Sequence, residues 1–335
     1  MIEFLNILTS LLPVLVFLVA LVFLDSFKLV SLRAVLQAIL AGALVAAACY
    51  FLSGFLLDTL PVSNLQYKRY IAPTLEELLK SLYVVFLIRS MRTGFIVDAA
   101  IYAFAVGAGF ALVENAYYLR ELESGSLVTW VVRGFGTAIM HGSTMAIFGI
   151  LAKGTSDRHG TMSPVVFLPG LLVAIVIHSL YNHFLVNPMA SAALLLAVLP
   201  FLVIFVFDRS ERATRSWLGV GFDSDVELLE IIHTGEVTET HIGQYLESLK
   251  HAFPGEVVGD MLCMLQIHLE LSIRAKGVLM AREAGIRLPV DEAVKANLEE
   301  LKYLEKSVGK TGKMAMTPFL NMTSRDLWQL YMLGK

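Results

Sequence analysis

The sequence predicts an all-α fold in two parts. Residues 1–207 are expected to form a polytopic membrane helix bundle of about seven transmembrane helices, and residues 208–335 a small helical cytoplasmic domain. Three observations carry this. Hydrophobic residues fill 56% of the 335 positions and charged residues only 16%, where a soluble domain is about 25% charged. The charge is unevenly placed: residues 1–207 hold 11 Lys/Arg and 10 Asp/Glu, and the shorter remainder holds 15 and 19. Apolar runs near the roughly 20 residues that a spanning helix needs recur through the first part and stop at residue 207.

Each span follows from its own run. Residues 4–24 begin behind Glu3 without a basic leader, and the run is too long for a cleavable signal, so it is expected to be the first span. Residues 30–57 form the second. The third and fourth, 71–89 and 96–119, are separated by a short polar join at residues 89–94. Residues 127–151 form the fifth, and the sixth and seventh, 165–186 and 189–207, are divided by the helix breaker Asn187 and Pro188. Gly134, Ala138, Gly142 and Ala146 recur every fourth position in the fifth span, as do Ala103, Gly107 and Ala111 in the fourth. Such stripes let helices approach closely in lipid.

With the tail inside, the inner segments hold Lys28, Arg33, Arg89, Arg92, Lys153, Arg158, Arg209, Arg212 and Arg215. The outer ones hold Lys68, Arg69, Arg120 and Arg133. Nine against four follows the positive-inside rule, which places the N-terminus outside and the tail in the cytoplasm of a plasma (bacterial inner) membrane. No basic run suits nucleic acid. Cys49 and Cys263 fall in a span and in the tail, so neither a disulfide nor a cysteine metal motif is expected.

The tail repeats apolar residues at helical spacing: Ile242, Tyr245, Leu246 and Leu249; Met261, Leu262, Leu265, Leu269 and Ile273; Leu298, Leu301 and Leu304. Helix starts are expected at Pro289 to Glu292 and at Thr323 to Asp326. His233, His241, His251 and His268 lack metal-ligand spacing and read as solvated surface residues. A regulatory or homo-oligomerisation role is the expectation for this domain.

The chemistry lies in ionisable residues inside the apolar runs. The third span carries Glu76, Glu77 and Lys80, the fourth Glu114 and Asn115, the fifth His141, and the sixth His178 and Asn182. A charge at mid-helix costs roughly 2.5–3.5 kcal/mol, so the three glutamates and the lysine together would oppose insertion by about 10 kcal/mol if unpaired. At about 1.5 Å per residue, Glu76 and Glu114 each lie about 8 Å and His178 about 12 Å from the outer ends of their spans, and His141 about 12 Å beyond Arg133, whose charge is expected near the outer interface. Two carboxylates and two imidazoles thus share one shallow layer in the outer half.

The ordered set Glu76-Glu77-x-x-Lys80, Phe110-x-x-x-Glu114-Asn115, His141 and His178-x-x-x-Asn182, one motif per span over residues 70–186, resembles the PrsW family of intramembrane proteases, related to the CAAX prenyl proteases. The resemblance implies site-one cleavage, near the outer membrane face, of a single-span membrane protein such as an anti-sigma factor. Glu76 or Glu77 would then serve as general base, since adjacent residues point about 100° apart on a helix and one can face water while the other pairs with Lys80. His178 would hold or polarise the water with Asn182 as oxyanion donor, His141 sharing either task, and Glu114 and Asn115 orienting these groups. No HExxH is present. Metal-free glutamate chemistry and a zinc site of His141, His178 and one of Glu76, Glu77 or Glu114 both stay open, the former slightly favoured. Two other readings compete: a CAAX-type prenyl peptidase, which the outer layer disfavours, and a proton- or ion-coupled transporter, for which inverted repeats are missing.

Overall fold

The computed structural model describes residues 2–122, 126–286, 288, 292–320, 328–329 and 332–333. Among them the regular structure is helical throughout. The chain divides into two compact units, Met1–Ser210 and Glu211–Lys335.

In the first unit, α1 (Ile2–Phe23) and α2 (Leu32–Thr59) precede a short turn at Asn64–Gln66 and a wide π-helical turn at Tyr67–Ile71, which opens directly into α3 (Ala72–Arg89). Then come α4 (Ile96–Glu121), a second wide turn at Val132–Ala138 opening into α5 (Ile139–His159), and α6 (Leu168–Asn182). The long helix α7 (Pro188–Thr234) starts at the expected breaker, where the Asn187 side chain accepts the Met189 N–H at 2.9 Å. Among the described residues six helices are long and apolar enough to cross a membrane, against the seven expected. The difference is the third: α3 is fully helical, but Glu76, Glu77, Lys80 and Arg89 leave it too charged to count among apolar spans. The chain is a multi-pass membrane protein.

Helix α4 is the axis of this unit, with an unbroken buried run from Val97 to Ala111. Small residues let its neighbours close on it. A methyl at Gly42 would strike the Val106 carbonyl, and one at Gly107 would strike the carbonyl of His141. The first contact seats α2 on α4. The second fixes the height of α5, and therefore of His141.

In the second unit, α8 (His241–Leu249), α9 (Gly255–Glu283) and α10 (Glu292–Met316) follow the latter part of α7. Leu246, Met261, Leu265, Leu269, Leu301 and Leu304 share one apolar core. Two expectations fall partly or wholly outside the described residues: Pro289 and Asp291 of one helix start, and the start at Thr323 to Asp326. Of the tail histidines, His233, His241 and His251 are exposed. His268 corrects the expectation, being 6% exposed on the face of α9 that buries Leu265, Leu269 and Ser272.

Candidate active site

Helices α3, α4, α5 and α6 bring one cluster together. Glu77 and Lys80, one turn apart on α3, are both fully enclosed, and Lys80 Nζ donates to Glu77 Oε1 at 2.6 Å. The partner of Lys80 is therefore Glu77 and not Glu76. The ammonium also lies 3.2 Å from His141 Nδ1 and 4.7 Å from the centre of the Phe110 ring. Because an ammonium can only donate, Nδ1 accepts, and His141 Nε2 carries the ring proton toward Glu114 Oε2 at 2.9 Å.

His178 is held from the other side. Its Nδ1 lies 2.7 Å from Glu77 Oε1, and Thr144 Oγ1 donates to the same oxygen at 3.4 Å. With Nδ1 committed to a carboxylate, Nε2 faces Glu76 Oε2 at 3.8 Å. The two imidazoles meet edge to face with ring centres 4.8 Å apart. Exposure grades the three carboxylates: the Glu77 side chain is at 0%, Glu76 at 17% and Glu114 at 27%. Glu77 is sealed inside, while Glu76 and Glu114 are each partly exposed. One Glu77 oxygen, Oε2, is buried without a partner.

Around Glu114 the sequence reading missed a hub. Arg133, read there only as an orientation marker, lies 3.3 Å from Glu114 Oε1, donates from Nε to Asn115 Oδ1 at 3.0 Å, and stacks 3.8 Å from the centre of the Tyr118 ring. Asn115 thus steadies Arg133, and through it Glu114, while its amide donates to the Ser10 carbonyl at 2.7 Å. Thr144 was also missed, although it stands three residues after His141 on the same helix. Asn182 lies apart from these contacts: its amide donates to the Lys68 carbonyl at 3.0 Å, so the expected oxyanion donor is committed to the backbone ahead of α3.

A metal ion fits the residues present. Glu76, His141 and His178 each offer a donor atom, and all three atoms lie within 4.8 Å of one another; for His141 the ion would take the Nδ1 lone pair in place of the Lys80 contact. The Glu77–His178 contact is the carboxylate–histidine support that metal-binding imidazoles use. Three carboxylates stand against the two cations Lys80 and Arg133, an acidic surplus that suits a bound cation. The cluster can therefore hold a divalent ion such as zinc, or bring an acid and imidazoles onto one water.

Comparison with known proteins agrees with this geometry. Residues 30–207 match the model of the PrsW family of intramembrane metalloproteases, a stretch containing every residue of the cluster. No curated protein and no solved structure matches the chain. Since the match spans more than half of the 335 residues, the chain belongs to the PrsW family of intramembrane metalloproteases.

Proposed function

We propose that the chain is an endopeptidase that cuts a single-span membrane protein near the outer membrane face, as an anti-sigma factor is cut at site one, with its N-terminus outside and its second unit in the cytoplasm. The observation that carries the chemistry is the convergence of Glu76, His141 and His178 from three helices onto a space no more than 4.8 Å across. The shallow outer layer counted from the sequence supports the position of the cut.

Glu76, His141 and His178 would hold the metal, which supplies Lewis acidity for water and for the scissile carbonyl. Everything else falls to the chain's own groups. Glu77 is enclosed and committed to Lys80 and His178, so it positions His178 and fixes its tautomer and is not the base. Lys80 balances the Glu77 charge, and its contact with His141 Nδ1 would give way to the ion. Glu114 is the most exposed of the three carboxylates, and once its contact with His141 or Arg133 gives way it takes the proton from water and returns it to the leaving amine. Arg133 and Asn115 hold that carboxylate in place.

The test combines metal analysis of active protein with Glu76→Gln, His141→Ala and His178→Ala, scored on processing of a single-span substrate. Stoichiometric zinc, activity lost on chelation and regained with zinc, and loss of cleavage in all three variants are expected. Cleavage retained in all three at normal expression overturns the protease reading. Full activity in metal-free protein overturns the metal assignment and returns Glu76 to the role of base, acting with His178 across their 3.8 Å gap.

A further inference from the structure

Helix α3 carries a second feature on the side turned away from the cluster. It packs against α2, α4, α5 and α6, all within segments long and apolar enough to cross a membrane. Glu77, Lys80, Ser81, Val84 and Leu87 are buried among them. Leu78, Leu82 and Phe86, each four residues from the next, stay 44%, 57% and 48% exposed. In such a bundle this stripe meets acyl chains. At about 1.5 Å per residue, the helix from Leu78 to Arg89 is about 16 Å long. One leaflet of a hydrocarbon core about 30 Å thick has roughly 15 Å.

The stripe ends in an open groove of about 420 Å³ lined by Leu82, Val85, Phe86, Arg89 and Ser90. Beyond it the chain folds back. Met91 takes the left-handed conformation at φ 54°, and the Arg92 N–H donates to the Leu87 carbonyl at 2.9 Å. Helices usually close this way on glycine, and a methionine in that conformation is uncommon. Here it returns Arg92 over the Phe86 ring, its guanidinium 5.2 Å from the ring centre. Arg89 thus lines the groove while Arg92 stands on its aromatic wall, and both are exposed. Their two positive charges exceed the roughly half negative charge of a helix C-terminus. Guanidinium forks match phosphate oxygens two at a time. A free phosphate would leave the apolar stripe unused, and a zwitterionic headgroup brings its own cation. Nothing in the cleavage chemistry uses Arg89 or Arg92.

We propose that this groove binds one anionic glycerophospholipid from the leaflet that meets the C-terminal end of α3, an acyl chain along Leu82 and Phe86 and the headgroup phosphate on Arg89 and Arg92. With the orientation proposed above, that leaflet is the cytoplasmic one. The experiment titrates the full chain in detergent micelles with phosphatidylglycerol or phosphatidylcholine of the same acyl chains, counting bound lipids by native mass spectrometry. One phosphatidylglycerol held at least tenfold more tightly than phosphatidylcholine is expected. Arg89→Gln combined with Arg92→Gln should bring the two lipids within about twofold of each other. Arg120→Gln, at an exposed position in the last turn of α4, should leave the preference intact. The double variant changes exposed side chains only and should unfold at the wild-type temperature, so a lost preference cannot be read as misfolding. Equal affinity for the two lipids in wild type, a preference that survives the double variant, or one lost equally in Arg120→Gln overturns the proposal. A double variant with unchanged lipid preference but a KM for the single-span substrate raised at least tenfold also overturns it, and gives the face to the substrate helix. The readout is lipid binding and holds whether or not the cluster cuts its substrate.

Discussion

Replacing Glu77 and Lys80 singly and together separates what their contact does for the fold from what it does for the chemistry. At 2.6 Å, and with an effective dielectric of about 20, their gross attraction is about 6 kcal/mol. Much of that offsets the desolvation of two fully enclosed charges, so the pair adds little net stability, whereas removing one partner costs about 3–5 kcal/mol. Glu77→Leu and Lys80→Met should each lower the unfolding temperature by roughly 6–20 °C, at about 2–4 °C per kcal/mol for a unit of this size. The double variant should recover most of one such loss, a coupling near 3 kcal/mol in a double-mutant cycle. Proteolysis should not recover with it. Without Glu77, His178 Nδ1 has no carboxylate to hold it, and losing such support costs about 10–100-fold in activity or metal affinity. Reversible unfolding in mixed micelles and cleavage of a single-span reporter measure the two effects on the same preparations. A coupling below about 0.5 kcal/mol, the noise of additivity, or a double variant as active as wild type, would refute the reasoning.

Three further outcomes are expected. Asn182→Ala should leave cleavage within about threefold of wild type, because its amide serves the Lys68 carbonyl; an oxyanion donor would cost about 100–1,000-fold, and kcat decides between them. Gly107→Ala should cost about 1–3 kcal/mol by overpacking and depress cleavage by lifting His141 off α4, while Gly54→Ala, facing open space, should be neutral or slightly stabilising by thermal unfolding. Burial pushes the pKa of His268 down, with Asp225 and Glu305 opposing and Lys276 assisting. The folded chain then binds fewer protons than the unfolded one. Its contribution is full above about pH 6.5 and is lost as pH falls below that value toward the folded pKa. The unfolding temperature of the His268→Leu variant should therefore fall less than that of wild type between about pH 7 and 5.

The helical bundle and the glutamates and histidines of the cluster were legible because lipid makes them so. A carboxylate or an imidazole in an apolar run stands out against the cost of placing it there, and a shared depth can be counted along a helix. Rotation about each helix was not legible. Glu76 and Glu77 are both within one turn of Lys80, and only the packing of α3 against α5 and α6 selects Glu77 as the partner. Spacing misled at Asn182: four residues after His178 put it on the same helical face, but at the very end of α6, where the backbone around Lys68 claims its amide. Arg133 lay near an expected span end and so read as a topology signal, its long side chain hiding the contact with Glu114. His268 was misread because the apolar positions on either side of it were assigned to the core while the histidine between them was not.

The wide turn at Tyr67–Ile71 has a consequence for insertions and deletions. A turn of this kind accommodates one extra residue in a helix without rewinding the turns beyond it. Taking a residue out of 67–71 therefore lets the wide turn relax to an ordinary one, with Glu76 and Glu77 still aimed as before. Taking out residue 74 or 75 has no such slack. It swings the carboxylates by about 100° relative to the start of α3, carrying the sealed glutamate toward the opening and the open one into the wall. Length variation can gather in the first stretch, then, while the second is held to the residue.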